Sequence, residues 1–336
     1  MNLRHLTTRL ARLALVKLNI FQFKLDKSAG PFVRALQFAF YDWTRDMPAD
    51  RRWLTMLGLL IQLGALILAF YAQGSKSFMF LSLLIYMGGL CLLNGMLTSE
   101  FVRKTQLEAD QIAAEQIQRT LHPQKVKDLP GYRVETFYKP LRGVGGDYFD
   151  VIELSNGRTL FALADVSGKG MPAALLAANI QALVRSISNI VSDPEGLAEQ
   201  VNNHLCRYTP PERFATAVFA LLSPETGELR YVNAGQNPPI LSGLHRTTLL
   251  ESTGMPLGLV PQAVFQSQTV VIPPTGKLLL FTDGLTDGIA GENPEESICE
   301  AIARPESTIS NLQTLVSPQF NDDDITMLLL TRLVPE

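Results

Sequence analysis

Two stretches of the chain, 53–72 (WLTMLGLLIQLGALILAFYA) and 78–97 (FMFLSLLIYMGGLCLLNGML), carry no charged residue. Each is apolar all round and long enough, as a helix, to cross a hydrocarbon core of about 30 Å. The segment between them, QGSKS at 73–77, has room only for a tight turn. The pattern predicts a two-helix transmembrane hairpin over 53–98, because helices satisfy their own backbone in lipid. Gln62 and Asn94 interrupt the spans and are read as tolerated polar groups. A buried hairpin of a soluble protein is disfavoured by two adjacent spans of full length, and a cleaved signal by their late start. Further on, 100–121 (EFVRKTQLEADQIAAEQIQRTL) lacks Pro and Gly. Phe101, Leu107, Ala114 and Leu121 recur there at near-heptad spacing, widened by Ala113 and Ile117. This predicts a linker helix over 99–122, ended by Pro123. It is either a signalling and dimerisation helix or the first helix of the following domain.

From about residue 129 the periodicity changes to short apolar runs bounded by Gly, Pro and Asn. TLFALADV (159–166), FATAVFALL (214–222), LRYVNAG (229–235), KLLLFTDG (277–284) and ITMLLLTRL (325–333) read as strands. Residues 171–191 and 196–209 read as helices, the first with Pro172 in its opening turn. The fold class expected for 123–336 is α+β, with layered sheets and flanking helices.

Charge divides the chain in the same places. The net charge is -3, yet residues 1–52 carry ten Lys/Arg against four Asp/Glu, and 99–336 carry eighteen against twenty-eight. The acidic main domain argues against nucleic acid as a partner. In 1–52, Leu3, Leu6, Leu10 and Leu13 recur at helical spacing among basic residues. That segment reads as a basic amphipathic helix on an anionic membrane surface, or as a helix packed on the main domain. Arg45, Arg51, Arg52, Arg103 and Lys104 flank the spans. By the positive-inside rule, the N-terminus and the main domain are both cytoplasmic. Cys91, Cys206 and Cys299 form no CxxC pair, and the four histidines show no ligand spacing, which disfavours thiolate or imidazole metal centres.

The candidate chemistry lies in aspartates at the ends of apolar runs. Asp147 sits in GGDYFD, Asp165 ends FALAD, Asp283 ends LLLFTD, and Asp323 belongs to DDDIT before the last strand. Singly, each Asp-Gly is an ordinary turn. Four of them at one rim would form an oxygen-donor site for hard divalent cations, which can activate water and stabilise phosphoryl charge. Ser167 has no neighbouring His to activate it. SGKG is no P-loop, since Leu163 and Gly170 stand at required Gly and Ser/Thr positions. GGDYF lacks the second acid of a cyclase GGDEF signature.

The series A-x-x-IQ-x-x-LHP (114–123), VGGDYFD (144–150), DVSGKGMPAAL (165–175), FATAVFALLSPETGELRYVNAGQNPP (214–239), GMPLGL (254–259), FTDGLTD (281–287) and DDDITMLLL (322–330) resembles the bacterial metal-dependent serine/threonine phosphatases of the PPM family. The branch is that of stage II sporulation protein E and the sigma-B regulators, and the match covers roughly 110–334. The resemblance implies an αββα sandwich, two Mn²⁺ or Mg²⁺ ions, and hydrolysis of phosphoserine or phosphothreonine on an anti-anti-sigma-like regulatory protein. It implies that Asp165 bridges both ions, the Val166 carbonyl ligates one, Asp283 and Asp323 ligate the other, and Asp147 joins the metal site by holding metal-bound water, so that Asp147 and Asp165 are the catalytic pair that present the attacking water. Gly145 and Gly146 would let the chain approach the ions. Lys169, before a helix N-terminus, is a candidate contact for substrate phosphate or a solvated turn lysine.

Three departures stand out. Gln236 replaces the family's usual histidine in AGH, Asp287 stands where glutamate is frequent, and Asp322 or Asp324 could replace Asp323 as ligand. The expectation is a two-pass protein of the bacterial inner membrane, with the lipid bilayer as one partner and a possible homodimer through the linker helix. The competing readings are a catalytically silent partner-switch or scaffold module of the same fold, and a metal hydrolase of small phosphoesters.

Overall fold

The computed structural model describes residues 49–71, 75–123, 126–191, 193–243, 246–317 and 322–334. The expected amphipathic helix in 1–52 lies almost entirely outside the described residues, as does the start of the 73–77 turn. The chain divides into two compact units, Met1–Glu108 and Ala109–Glu336.

The first unit holds α1 (Ala49–Tyr71) and the larger part of α2 (Lys76–Leu121). Both helices contain an apolar window long enough to cross a membrane. Leu60, Phe70 and Phe80 project outward, exposed. The two helices approach closely where side chains are small: a Cβ on Gly89 would lie 3.2 Å from the Gln62 side chain. The second span and the linker form one uninterrupted helix of 46 residues. Thr98 and Ser99 sit at the joint without breaking it. Their hydroxyls donate to the carbonyls of Asn94 and Met96, both at 2.8 Å, so each polar side chain is satisfied within the helix.

The second unit is a sandwich of two five-stranded antiparallel sheets. One runs β2 (Tyr148–Glu153), β3 (Thr159–Val166), β4 (Ala215–Ser223), β5 (Glu228–Ala234), β8 (Gln268–Val271). The other runs β1 (Tyr132–Lys139), β10 (Ile325–Arg332), β9 (Lys277–Phe281), β6 (Ile240–Ser242), β7 (Thr247–Leu249). Phe161, Leu163, Val218 and Leu222 from the first sheet meet Leu278, Leu280, Leu328 and Leu330 from the second in the central core. The alternate residues of β3 and β4 pack instead against α3 (Met171–Ile187) and α4 (Pro194–Tyr208). Those of β9 and β10 pack against α5 (Asp283–Asp287), α6 (Pro294–Ala303) and α7 (Ile309–Gln313). Strands buried on both faces read as continuous apolar runs, which is why these were visible in the sequence. The layering is αββα.

Element ends move where local chemistry moves them. The helix expected from 196 begins at Pro194, because the Asp193 carboxylate accepts from the Gly196 amide at 2.8 Å and proline suits the first turn. The strand expected over 277–284 stops at Phe281, and Asp283 opens α5 instead.

Candidate active site

β9 and β10 pair with Phe281 opposite Met327, so the end of β9 lies beside the start of β10. Asp283 therefore stands next to Asp323 and Asp324. In the other sheet Tyr148 pairs with Ala164, which brings Asp147, just before β2, beside Asp165 at the end of β3. The two pairs of strand ends are tied together across the sandwich. Asp147 Oδ2 accepts from Thr326 Oγ1 and, at 2.8 Å, from Thr282 Oγ1, and these threonines flank the β9–β10 ends. Thr282 and Thr326 also bond to each other, N–H to carbonyl at 3.1 Å and N–H to hydroxyl at 3.0 Å.

The electrostatics follow from this crowding. Burial, and then the charge of Asp165, hold Asp147 well above the ordinary carboxylate range, against the pull of the two threonine hydroxyls. Asp165 is pushed up to about 7, by burial first and then by Asp283, Asp323 and Asp324. Asp283 is raised by burial, Asp323 and Asp287. Carboxylates that oppose one another's ionisation at one rim are a frequent mark of a functional site. The donors are all oxygen, the chemistry that suits hard divalent cations. With the side chains as they stand, no three acidic, histidine or cysteine groups among the described residues close on a single ion position. The residues fit such an ion by donor type and charge.

The loop carrying Asp147 is held from two sides. Asp324 accepts from the Leu141 amide at 2.7 Å and from the Gly146 amide at 2.6 Å, so both its oxygens serve the backbone. From the other side Gln118, in the part of α2 that belongs to this unit, grips Gly145 twice. Its Nε2 donates to the Gly145 carbonyl at 2.7 Å, and its Oε1 accepts from the Gly145 amide at 3.0 Å. A side chain at Gly145 would put Cβ 2.6 Å from an Asp324 oxygen; at Gly146 it would crowd the Val166 carbonyl at 3.1 Å. The glycines are needed for close approach. His122 closes the base of α2, sandwiched between Tyr138 and Phe149, and burial lowers its pKa to about 4.

Of the aspartates at 322–324, Asp322 is exposed, Asp324 is committed to the Asp147 loop, and Asp323 makes an ion pair of 2.7 Å with Lys169. Lys169 also donates to the Asp322 carbonyl. Its pKa is raised, chiefly by the hydrogen bond to Asp323. Val166 is buried in β3, opposite Ala215. Asp287 is exposed at the end of α5. Ser167 accepts from the Phe214 amide at 3.0 Å, a structural use of its hydroxyl. Arg213 reaches across the 165–170 loop and donates to the Ser167 carbonyl at 2.6 Å. Sequence reading passed over Gln118, Arg213 and the structural work of Asp324. Gln118 stands in the IQ of the 114–123 motif, which was the available signal. Nothing local marked Arg213.

The chain belongs to the stage II sporulation protein E family, whose description matches residues 155–333, more than half of its length. It is similar to the phosphoserine phosphatase RsbP of Bacillus subtilis, 24% identical over 212 residues, 59% of this chain and 52% of that one. It is similar to the phosphoserine phosphatase RsbU of the same organism, 25% identical over 235 residues, 66% of this chain and 69% of that one. The chain thus spans about half the length of the first. Among solved structures, the RsbU and RsbW domains of a Mycobacterium tuberculosis protein share 26% identity and a TM-score of 0.56, over 64% of each chain. RsbX, solved in complex with magnesium, shares the fold at 20% identity and a TM-score of 0.50, over 62% of this chain and 98% of that one.

Proposed function

We propose that this protein is a membrane-anchored protein serine/threonine phosphatase that hydrolyses phosphoserine or phosphothreonine on a partner-switch regulatory protein of the anti-anti-sigma kind. The observation that carries the reading is the cross-sheet tie of Asp147 to Thr282 and Thr326, which gathers Asp147, Asp165, Asp283 and Asp323 at one end of the sandwich. The relatives named above are phosphoserine phosphatases, which supports the reaction class.

Two Mn²⁺ or Mg²⁺ ions are the cofactors in this reading. When bound, they supply Lewis acidity, acidify water and neutralise phosphoryl charge. Asp165 and the Val166 carbonyl, with Asp283 and Asp323, would hold them. Their shared negative charge is what a pair of dications compensates. Asp147, fixed by two hydroxyl donors that leave Oδ1 free of them, would hold and orient the attacking water. Lys169, now paired with Asp323, is positioned to exchange that partner for a substrate phosphate oxygen. The positioning of these groups is the protein's main contribution to phosphoryl transfer.

The apolar windows of α1 and α2, with Arg51, Arg52, Arg103 and Lys104 beside them, support a two-pass anchor in the bacterial inner membrane with both ends cytoplasmic. Exposed Phe101, Leu107, Ile112 and Ile117 on α2 support pairing of the linker with a second copy. The test is Mn²⁺-dependent phosphate release from a phosphorylated anti-anti-sigma-like protein, with Asp165→Asn as control. Asp165→Asn is expected to lower kcat by ~10³-fold, several kcal/mol of transition-state stabilisation. Equal turnover of small phosphomonoesters would favour a small-molecule hydrolase. No metal-dependent release from any phosphoprotein would favour a silent scaffold.

A further inference from the structure

We infer that Gln236 is a positioning residue that sets the separation of the Asp165 and Asp283 strand ends; the inference rests on the phosphatase reading above. Gln236 is 5% exposed and lies just beyond β5. Its backbone is fixed before its side chain is used. The Gln236 amide donates to Asn233 Oδ1 at 2.8 Å, and Asn233 Nδ2 donates back to the Gln236 carbonyl at 3.1 Å. Gly235 reaches this geometry at φ +75°, and a Cβ there would meet the Pro256 ring at 2.8 Å.

The side chain then spans the sandwich. Its Oε1 accepts from Thr216 Oγ1, and its Nε2 donates to the Phe281 carbonyl at 3.2 Å. Thr216 is the register partner of Asp165, with its hydroxyl 3.5 Å from the Asp165 carbonyl. Phe281 ends β9, two residues before Asp283. One amide therefore links the strand beside Asp165 in one sheet to the strand that delivers Asp283 in the other. Leu or Met would fill this volume in an ordinary core. An amide with one acceptor and one donor, each used on a different sheet, defines a distance that apolar packing leaves looser. The Asp147–threonine tie fixes a second cross-sheet distance, and the two together hold both carboxylate pairs.

The test uses the full chain in detergent, as wild type, Gln236→Met, Gln236→Glu and Gln236→His. Mn²⁺ binding is measured by calorimetry without substrate, and kcat and KM on the phosphoprotein separately. Methionine keeps the volume and removes both hydrogen bonds. Glutamate keeps the acceptor and removes the donor to Phe281. Histidine keeps one donor and one acceptor. Met and Glu are expected to weaken Mn²⁺ binding roughly 10–100-fold, as loss of groups that orient metal ligands does, with kcat lowered and KM little changed. His is expected to stay close to wild type. Wild-type Mn²⁺ affinity in Gln236→Met overturns the inference, and so does a Gln236→His as weak as Gln236→Met. Should the metal-free melting of Gln236→Met show that it does not fold, Glu against His decides by the same comparison. A wild type that neither binds Mn²⁺ nor releases phosphate overturns the phosphatase reading itself, and this inference with it.

Discussion

Asp147 and Asp323 face the same rim from opposite sheets, and their surroundings differ in almost every respect. Asp147 is 1% exposed, carries two threonine hydroxyls on one oxygen, and sits among carboxylates that oppose its ionisation. Asp323 is partly exposed and answers to a lysine that is itself 44% exposed. The first is positioned by the fold in advance. The second is held by an ion pair that water and a competing anion can both break. One rim thus combines a rigid side, where hydrogen bonds fix a buried carboxyl in place but do not offset the cost of its charge, with an adaptable side open to ligands.

That contrast can be broken at its rigid end first. Asp147→Asn keeps the shape but replaces one acceptor oxygen with an NH2 donor and removes the ionisable charge, and is expected to cost ~10³-fold in kcat with little change in folding. Steady-state assays alongside far-UV circular dichroism check it. A loss no greater than that of Asp323→Asn would erase the distinction between the two sides.

The next effect is on stability. The folded-state pKa of Asp165 is about 7, above its ordinary value of 3.8. A carboxyl raised in this way contributes stability that is fully present below the unfolded value and is lost as pH rises through the folded one. The metal-free protein should therefore melt lower at pH 8 than at pH 5, by about 2–4 °C for each kcal/mol lost. Saturating Mn²⁺ at pH 8 should restore it. Differential scanning calorimetry with and without chelator reads both. A melting temperature flat from pH 5 to 8 without metal would mean that the carboxylates do not repel one another as the geometry implies.

The smallest effect belongs to the adaptable side. Lys169→Ala removes an exposed pair, so folding stability should change by no more than ~1 kcal/mol. A rise in KM for phosphoprotein with kcat retained would mark a phosphate contact. An unchanged KM would mark a solvated turn lysine.

Part of the architecture is legible in the sequence. β3, β4, β9 and β10 were readable because both their faces are buried, and an eight-residue apolar run bounded by Gly or Asp has few other meanings. β1, β6, β7 and β8 escaped notice: β6, β7 and β8 are only three or four residues long, β8 is mostly exposed, and β1 interleaves Arg133, Glu135 and Lys139 with its apolar residues. The linker and second span were read apart because their polarity differs so sharply. Polarity does not end a helix, though, and Thr98 and Ser99 hydrogen-bond back into the turn before them. Asp147, Asp165 and Asp283 could be picked out by their position beside glycine turns at strand ends. Gln118 and Gln236 could not, because a glutamine's importance lies in which two distant groups its amide happens to join.

By itself the sequence determined what local chemistry and periodicity carry: two charge-free spans, an α+β domain of layered sheets with flanking helices, the glycines beside the acidic loop, and a set of aspartates at strand ends; the αββα order came from the family resemblance. Only the tertiary structure decided how those aspartates are divided in role. Asp324, adjacent to Asp323 and identical in kind, binds the Leu141 and Gly146 amides, while Asp323 faces Lys169. The reason is geometric. Successive residues entering a strand point to opposite sides, so one carboxylate meets the 141–147 loop and the next meets the rim. Which side is which depends on a strand register set by packing over the whole sandwich.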